Sequence, residues 1–323
     1  MNREITIDGC NPSNWAAPEV FDSLLRGQVT AVNATTAIWE NLDETTAEFD
    51  EWDSRFTEQS DKILRVLTTE DILSAYETGH CGIILGWQNL SPIEDDIDNL
   101  DSFHTRGLRI AQLVYNLRNR VAGGCYDAHD EGLSSFGVSA VKKLNELGIL
   151  IDLSHVGDRS SLETIELSAQ PVAFTHIQLR DFLESPRNKP KDLIRALVDK
   201  GGMVGANAYP AFLPGGFEAT IVEYPDGLEQ LVELAGIEHV NIATDLCESQ
   251  TWDFWNSLGK MHPPDIVFEA LLPSLEPATR GLESNSDVYR IVQELNNRGY
   301  ATGDIWKIMG GNWMSLFREV WCV

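Results

Sequence analysis

The sequence has little positive charge. Its 323 residues include 24 lysines and arginines against 50 aspartates and glutamates, a formal net charge of −26. A protein that binds nucleic acid presents cationic surface to the phosphates, so this balance argues against a nucleic-acid partner. We interpret the excess of acidic residues as a solubilising surface.

Long apolar runs and a targeting segment are also missing. No stretch approaches the roughly 20 apolar residues that a bilayer-spanning helix requires. The polar start at residues 1–8 lacks the apolar region of a secretory signal, so we expect a cytoplasmic protein with no membrane partner. The cysteines form no CxxC pair and are odd in number and widely spaced, which favours reduced thiols; they are Cys10, Cys81, Cys125, Cys247 and Cys322.

Two common catalytic motifs are absent. No GxGxxG follows the first apolar run, so a dinucleotide-binding fold has no support. No GxSxG occurs either, so a serine nucleophile has none.

The sequence does contain a regular series of eight apolar runs, each followed by a segment of helical character. Near-continuous apolar runs are typical of parallel strands buried on both faces. Eight such strands alternating with helices predict an α/β protein, a single-domain (β/α)8 TIM barrel; an open doubly wound sheet is the alternative. The predicted strands are residues 5–9, 29–35, 82–87, 110–115, 150–155, 172–176, 203–208 and 240–245.

Three further segments extend this predicted barrel. Residues 116–132 and 247–284 follow strands and are expected to be loops on the active face. Residues 288–321 are predicted to be a helical tail that packs against the barrel.

Polar residues close most of the predicted strands, at the end of a barrel that faces the substrate. His155 and His176 are separated by 21 residues, a gap that fits one helix between two parallel strands. Together with the carboxylate of Asp245, two imidazoles can hold one divalent ion, or they can exchange protons without a metal. The whole set is Asp8, Cys10, Asn33, Gln88, Tyr115, Asn116, His155, His176, Asn207 and Asp245.

At these residues the sequence resembles the membrane (renal) dipeptidase family, peptidase family M19. The resemblance covers most of the chain, and its motifs are specific in order and spacing. It rests on GLSSFG (132–137), IDLSHV (151–156), AFTH (173–176), PRN (186–188), IATD (242–245) and GGNW (310–313).

The resemblance implies an amidohydrolase-like barrel, a two-zinc centre and a homodimer. The family's histidines that match His155 and His176 bind the second zinc. The aspartate that matches Asp245 lies at the first zinc and acts as the general base. The arginine that matches Arg187 holds the substrate carboxylate, and Asn188 lies beside it. Family members cleave dipeptides, and some accept β-lactams or D-residues.

The sequence departs from the family pattern in three places, which involve four residues. Where the family has His-x-Asp at the end of the first strand, this sequence has Cys10 and Pro12. Gln88 stands where a glutamate bridges the zincs, and Tyr115 stands where a histidine polarises the scissile carbonyl. Two zincs with so few carboxylates would leave a large uncompensated charge, so we expect no dinuclear centre.

The sequence therefore predicts a divergent, bacterial-type member of the family with one zinc or other divalent ion, or with none. His155 and His176 would hold the ion, completed by Cys10, Gln88 or Asp245. The expected activity is hydrolysis of a dipeptide or small carboxylate-bearing amino-acid derivative, with Tyr115, Gln88 and Asn116 orienting it. The alternatives are a metal-independent lyase, decarboxylase or isomerase, and a non-catalytic protein that binds a small ligand.

Overall fold

A parallel β-sheet rolled into a barrel forms the centre of the molecule in a computed structural model, which describes residues 4–260 and 277–321. Eight strands follow one another round the barrel, in the order β1, β2 and β4 to β9. The barrel closes where the main-chain N–H of Asp245 donates to the carbonyl oxygen of Cys10 over 2.9 Å. The strands are β1 (Ile7–Asn11), β2 (Ala31–Ala37), β3 (Ile63–Arg65), β4 (Cys81–Trp87), β5 (Leu108–Gln112), β6 (Leu150–Asp152), β7 (Ala173–Ile177), β8 (Met203–Asn207) and β9 (Val240–Ala243).

This arrangement confirms the predicted (β/α)8 barrel and excludes the open sheet. The additional strand β3 was not predicted. It has three residues and pairs with the first half of β4, away from the barrel path. Three residues are too few to show a periodicity in the sequence.

Helices surround the barrel, and their ends follow ordinary capping rules. The Ser134 side chain accepts a hydrogen bond from the Gly137 N–H at the start of α5, and Gly148, with φ of 66°, ends that helix. The helices are α1 (Glu19–Arg26), α2 (Leu42–Glu58), α3 (Thr69–Thr78), α4 (Asn99–Arg106), α5 (Ser135–Leu147), α6 (Asp158–Leu167), α7 (Lys191–Asp199), α8 (Tyr224–Ala235), α9 (Trp252–Lys260), α10 (Tyr289–Asn297), α11 (Thr302–Trp306) and α12 (Asn312–Val320).

The C-terminal helix α12 closes one end of the barrel. Trp313 and Phe317 are buried in one cluster with strand residues such as Ile7 and Ile84. The Trp313 indole N–H donates to the carbonyl oxygen of Ile242, 3.3 Å away. Since this end is filled by apolar side chains, the site is expected at the other end, where the strands terminate.

The segment predicted to be the long loop 247–284 contains the helix α9. Residues 261–276 of that segment lie outside the described residues, as does Cys322. Cys10, Cys81, Cys125 and Cys247 form no disulfide bond with one another. Within residues 4–260 and 277–321, no helix combines the length and the apolar character needed to cross a membrane.

Candidate active site

The two histidines lie side by side at the open end of the barrel. His176 belongs to β7, whereas His155 lies three residues beyond the end of β6. The predicted strand 150–155 was therefore too long. The chain turns after β6, and the turn brings the His155 Nε2 to 3.1 Å from the Nε2 of His176.

Hydrogen bonds on the far side of each ring determine which nitrogen carries the proton. The Nδ1 of His155 lies 2.7 Å from the amide oxygen of Asn116, which can only accept. The Nδ1 of His176 lies 2.7 Å from the Thr175 hydroxyl, whose own hydrogen is donated to Asp152. Both Nδ1 atoms therefore carry hydrogen, and in the neutral rings the two Nε2 lone pairs face each other. Such a pair suits two ligands of one cation.

Burial keeps the imidazole of His176 uncharged. His176 has no exposed surface, and its burial holds its pKa well below the usual value, with Arg187 and Lys189 adding to the effect. A neutral imidazole is the form that binds a metal.

Asp245 and Cys10 face each other across the barrel seam. The Cys10 Sγ lies 3.8 Å from Oδ1 of Asp245, and Oδ2 of the same carboxylate accepts from the Asn207 amide at 3.0 Å. Desolvation raises the pKa of Asp245, although Arg187 opposes the change. Burial and the Asp245 charge raise the pKa of the Cys10 thiol well above its usual range. Cys10, His176 and Asp245 each offer a ligand atom, and these three atoms lie within 4.8 Å of one another.

Arg187 is a buried cation fixed by the main chain of both histidine segments. Its Nη1 donates to the Ser154 carbonyl oxygen over 2.8 Å, and its Nη2 donates to that of His176 over 3.0 Å. Its Nε has no hydrogen-bond partner among the described residues, and only 1% of the residue is exposed. The guanidinium lines the same pocket as His155 and Asp245 and retains donors for an anion.

The pocket above these groups is mostly apolar. It encloses about 640 Å³, including the space at its mouth. Tyr115 stacks on the His155 ring with the ring centres 4.1 Å apart. The remaining walls of the pocket combine aromatic, aliphatic and small polar side chains, which are Pro12, Ile38, Gln88, Asn116, Tyr126, Tyr209, Ala211, Phe212, Cys247, Phe254 and Leu258.

Six of the twelve predicted site residues line this pocket. Three more, Cys10, His176 and Asn207, lie beside it in contact with Asp245 or His155. The other three lie elsewhere. Asn188 hydrogen-bonds to the main chain of Leu183 and Gln178 and stays outside the pocket lining. Asp8 and Asn33 lie deeper among the strands. Asp8 accepts hydrogen bonds from Thr244, and burial raises its pKa to about 6.

Several pocket residues carried no signal in the sequence. Tyr126, Tyr209, Phe212 and Phe254 come from loops and from α9, where no periodicity indicates which way a side chain points. Thr175 directly precedes a candidate histidine, and its hydroxyl holds the ring of that histidine. The alternation of side chains along a strand predicts that neighbouring residues point to opposite faces. This contact was therefore not predicted.

The departures from the family pattern also lie at the pocket. Pro12 lines its wall and has no donor atom for a metal. The Gln88 side-chain amide donates to the Thr35 hydroxyl over 2.9 Å and to the Cys10 Sγ over 3.5 Å.

Comparison with known proteins shows the class. Residues 3–255 match the family described as membrane dipeptidase, peptidase family M19, and the chain belongs to that family.

Individual relatives agree with this assignment. An uncharacterised dipeptidase of Schizosaccharomyces pombe is 30% identical over 183 residues, 54% of this chain and 44% of its own length. The dipeptidase aclJ of Aspergillus oryzae is 25% identical over 251 residues, 76% of this chain and 53% of its own. The chain thus spans about half the length of these curated relatives.

A solved structure is similar over almost the whole chain. The amidohydrolase from Pseudomonas aeruginosa superposes with a TM-score of 0.93 and 32% identity, covering 98% of this chain and 97% of the other. The protein is therefore a dipeptidase-family member with an amidohydrolase-like barrel.

Proposed function

We propose that the protein is a hydrolase that cleaves a dipeptide or a related small amino-acid derivative with a free carboxylate. One observation carries this proposal. The buried Arg187, with an unpaired N–H, is anchored to the carbonyl groups of Ser154 and His176 and shares its pocket with His155 and Asp245. A substrate carboxylate on Arg187 would be held beside the histidine pair.

The donor atoms suit one metal ion better than two. His155 and His176 supply neutral nitrogen ligands, and Asp245 supplies a carboxylate. Such an ion would polarise a carbonyl group or lower the pKa of a bound water. A second ion would meet the donorless Pro12 and the Gln88 amide, which carries no charge to offset it.

The protein side chains would divide the remaining tasks. Asp245, held at Oδ2 by Asn207, would accept a proton from the attacking water at a carboxylate oxygen. The pKa of Tyr115 lies well above its usual value because the phenol is buried, so its hydroxyl keeps its hydrogen and would donate to the substrate carbonyl. Gln88, Asn116 and Cys10 would complete the wall that orients the substrate.

A panel of dipeptides, including those with D-residues at the carboxyl end, tests the activity. Metal-free protein would be assayed alone and with one equivalent of zinc. We expect hydrolysis that needs zinc, that His155→Ala abolishes and that Arg187→Met impairs mainly through KM. Arg180→Met is the matched control, because Arg180 lies in the same loop but pairs with Asp158 at 2.7 Å.

Inactivity with every metal would contradict this proposal. The favoured alternatives would then be a metal-independent lyase, decarboxylase or isomerase, and a ligand-binding protein without catalysis. Pro12 and Gln88 replace metal ligands of the family, and hydrolysis is the activity that this replacement weakens most.

Assembly and location complete the proposal. We expect a single-domain protein that forms a homodimer in the cytoplasm. Light scattering coupled to size-exclusion chromatography would measure the mass, and a monomeric mass would contradict the dimer.

A further inference from the structure

Three potential ligand atoms, from Cys10, His176 and Asp245, lie within 4.8 Å of one another at the mouth of the barrel, and His155 adjoins this group through its contact with His176. His155 and His176 approach each other at 3.1 Å through Nε2, and Cys10 approaches Asp245 at 3.8 Å. In a tetrahedral zinc site, the usual bond lengths place two nitrogens about 3.3 Å apart and a sulfur and an oxygen about 3.5 Å apart. Both observed contacts lie within a few tenths of an ångström of those values.

Each of the four groups has a partner on the atom or side that would not bind a metal. Asn116 and Thr175 hold the Nδ1 atoms of the two histidines. Asn207 holds Oδ2 of Asp245, which leaves Oδ1 facing Cys10. Gln88 donates to the Cys10 sulfur. Partners of this kind orient ligands and are typical of metal sites, and an N–H donated to sulfur stabilises a thiolate.

The charges balance for one ion only. A divalent cation with the Asp245 carboxylate and a Cys10 thiolate has no net charge, so its burial costs little desolvation energy. Two divalent cations on the same ligands would retain two positive charges beside Arg187.

We propose that Cys10 is a metal ligand, and that Cys10, His176, Asp245 and the adjoining His155 form a mononuclear site for a thiolate-binding divalent ion such as zinc, which would take water or the substrate carbonyl as a fifth ligand. Binding replaces the S–H bond with a sulfur–metal bond. The proton is released to solvent, and nothing is oxidised or reduced. The inference rests on the proposed one-metal enzyme and names the ligand that distinguishes it from the family's imidazole and carboxylate set.

Cobalt(II) reports directly on a sulfur ligand. Metal-free protein titrated with Co²⁺ is expected to saturate at one equivalent and to develop an intense near-ultraviolet sulfur-to-cobalt charge-transfer band. Cys10→Ser should lose this band. Cys247→Ser should keep it, although the Cys247 thiol lines the same pocket, and so should Cys125→Ser.

Other results would overturn the proposal. A band that survives in Cys10→Ser, or one lost only in Cys247→Ser, assigns the sulfur elsewhere, and binding of two equivalents contradicts a mononuclear site. If Cys10→Ser does not fold, X-ray absorption at the zinc edge of the wild-type protein replaces the cobalt comparison. One sulfur is expected at about 2.3 Å from the zinc. No sulfur there refutes the proposal.

The same experiment separates this inference from the proposed activity. A charge-transfer band without peptide hydrolysis would support the site and reject the hydrolase. Zinc-dependent hydrolysis without a sulfur ligand would support the hydrolase and reject Cys10 as a metal ligand.

Discussion

At the scale of single residues, the hydroxyl of Thr175 decides how His176 can be used. It accepts from the histidine Nδ1 and donates to Asp152, which is itself buried. Without this hydroxyl the ring can carry its proton on Nε2 instead, and that nitrogen could no longer bind a metal.

Thr175→Val should therefore weaken zinc binding by about 10- to 100-fold. The two side chains have nearly the same shape, and Thr175→Ser keeps the hydroxyl and should retain most of the affinity. Calorimetric titration of the folded variants measures the effect. Equal affinity in Thr175→Val and the wild type would show that the hydroxyl does not position the ring.

Lys189 is a second residue whose burial has a measurable consequence. It has no exposed surface, and its ammonium donates to the Val156 carbonyl oxygen. Desolvation lowers the pKa of Lys189 from 10.5 to about 8. Between these two values the folded protein has released the proton while the unfolded chain still binds it, so this group makes the free energy of unfolding rise with pH.

Lys189→Met removes that contribution. Between pH 7 and pH 10, the stability of the wild type relative to the variant should increase by about 2.5 kcal/mol. Urea denaturation at several pH values measures it. Lys191→Met is the control, because Lys191 is half-exposed and pairs with Asp181. A pH-independent difference for Lys189→Met would mean that the ammonium is better solvated than its burial indicates.

At the scale of elements, α9 forms part of the apolar wall of the pocket. Phe254 and Leu258 line the pocket, whereas Trp252 on the same helix is 64% exposed. Phe254 also packs against Trp39, with 5.7 Å between the ring centres.

Phe254→Ala should raise KM by roughly 10-fold for substrates with a large apolar side chain, because about 1 to 2 kcal/mol of apolar contact is lost. Substrates with a small side chain should change less. Trp252→Ala should leave both unchanged. An equal change for large and small substrates would place the substrate side chain elsewhere.

The elements also show what the sequence could and could not predict. The barrel strands were predictable because parallel strands buried on both faces are continuous apolar runs. Helix α9 was missed because its aromatic residues lie in a segment interrupted further on by prolines. Strand β3 was missed because three residues carry no periodic signal.

The candidate site was likewise predictable only in part. His155, His176 and Asp245 were predictable because a polar residue that closes an apolar strand faces the barrel mouth. Their actual contacts depend on turns after the strands, and the left-handed backbone of Asn116 and Asp245, with φ of 59° and 54°, could not be foreseen. Asn188 was assigned from its neighbour Arg187, although its side chain turns into its own loop.

At the scale of the whole molecule, the proposed ligands connect the two ends of the barrel sheet. Cys10 belongs to β1 and Asp245 follows β9, and these strands meet at the seam. His155 and His176 come from the middle of the chain. A bound ion would thus hold together segments 235 residues apart in the sequence, and unfolding would have to release it.

Zinc should therefore stabilise the whole barrel in a single step. Free zinc at 100 times its Kd should add about 2.7 kcal/mol to the free energy of unfolding, because it binds the folded chain alone. Calorimetric melting of metal-free protein with zero, one and two equivalents of zinc measures this, with His176→Ala as the variant that should not respond. Since four ligands serve one ion, stabilisation should saturate at the first equivalent; a second stepwise increase of similar size would reveal two bound ions and contradict the charge balance at Cys10 and Asp245.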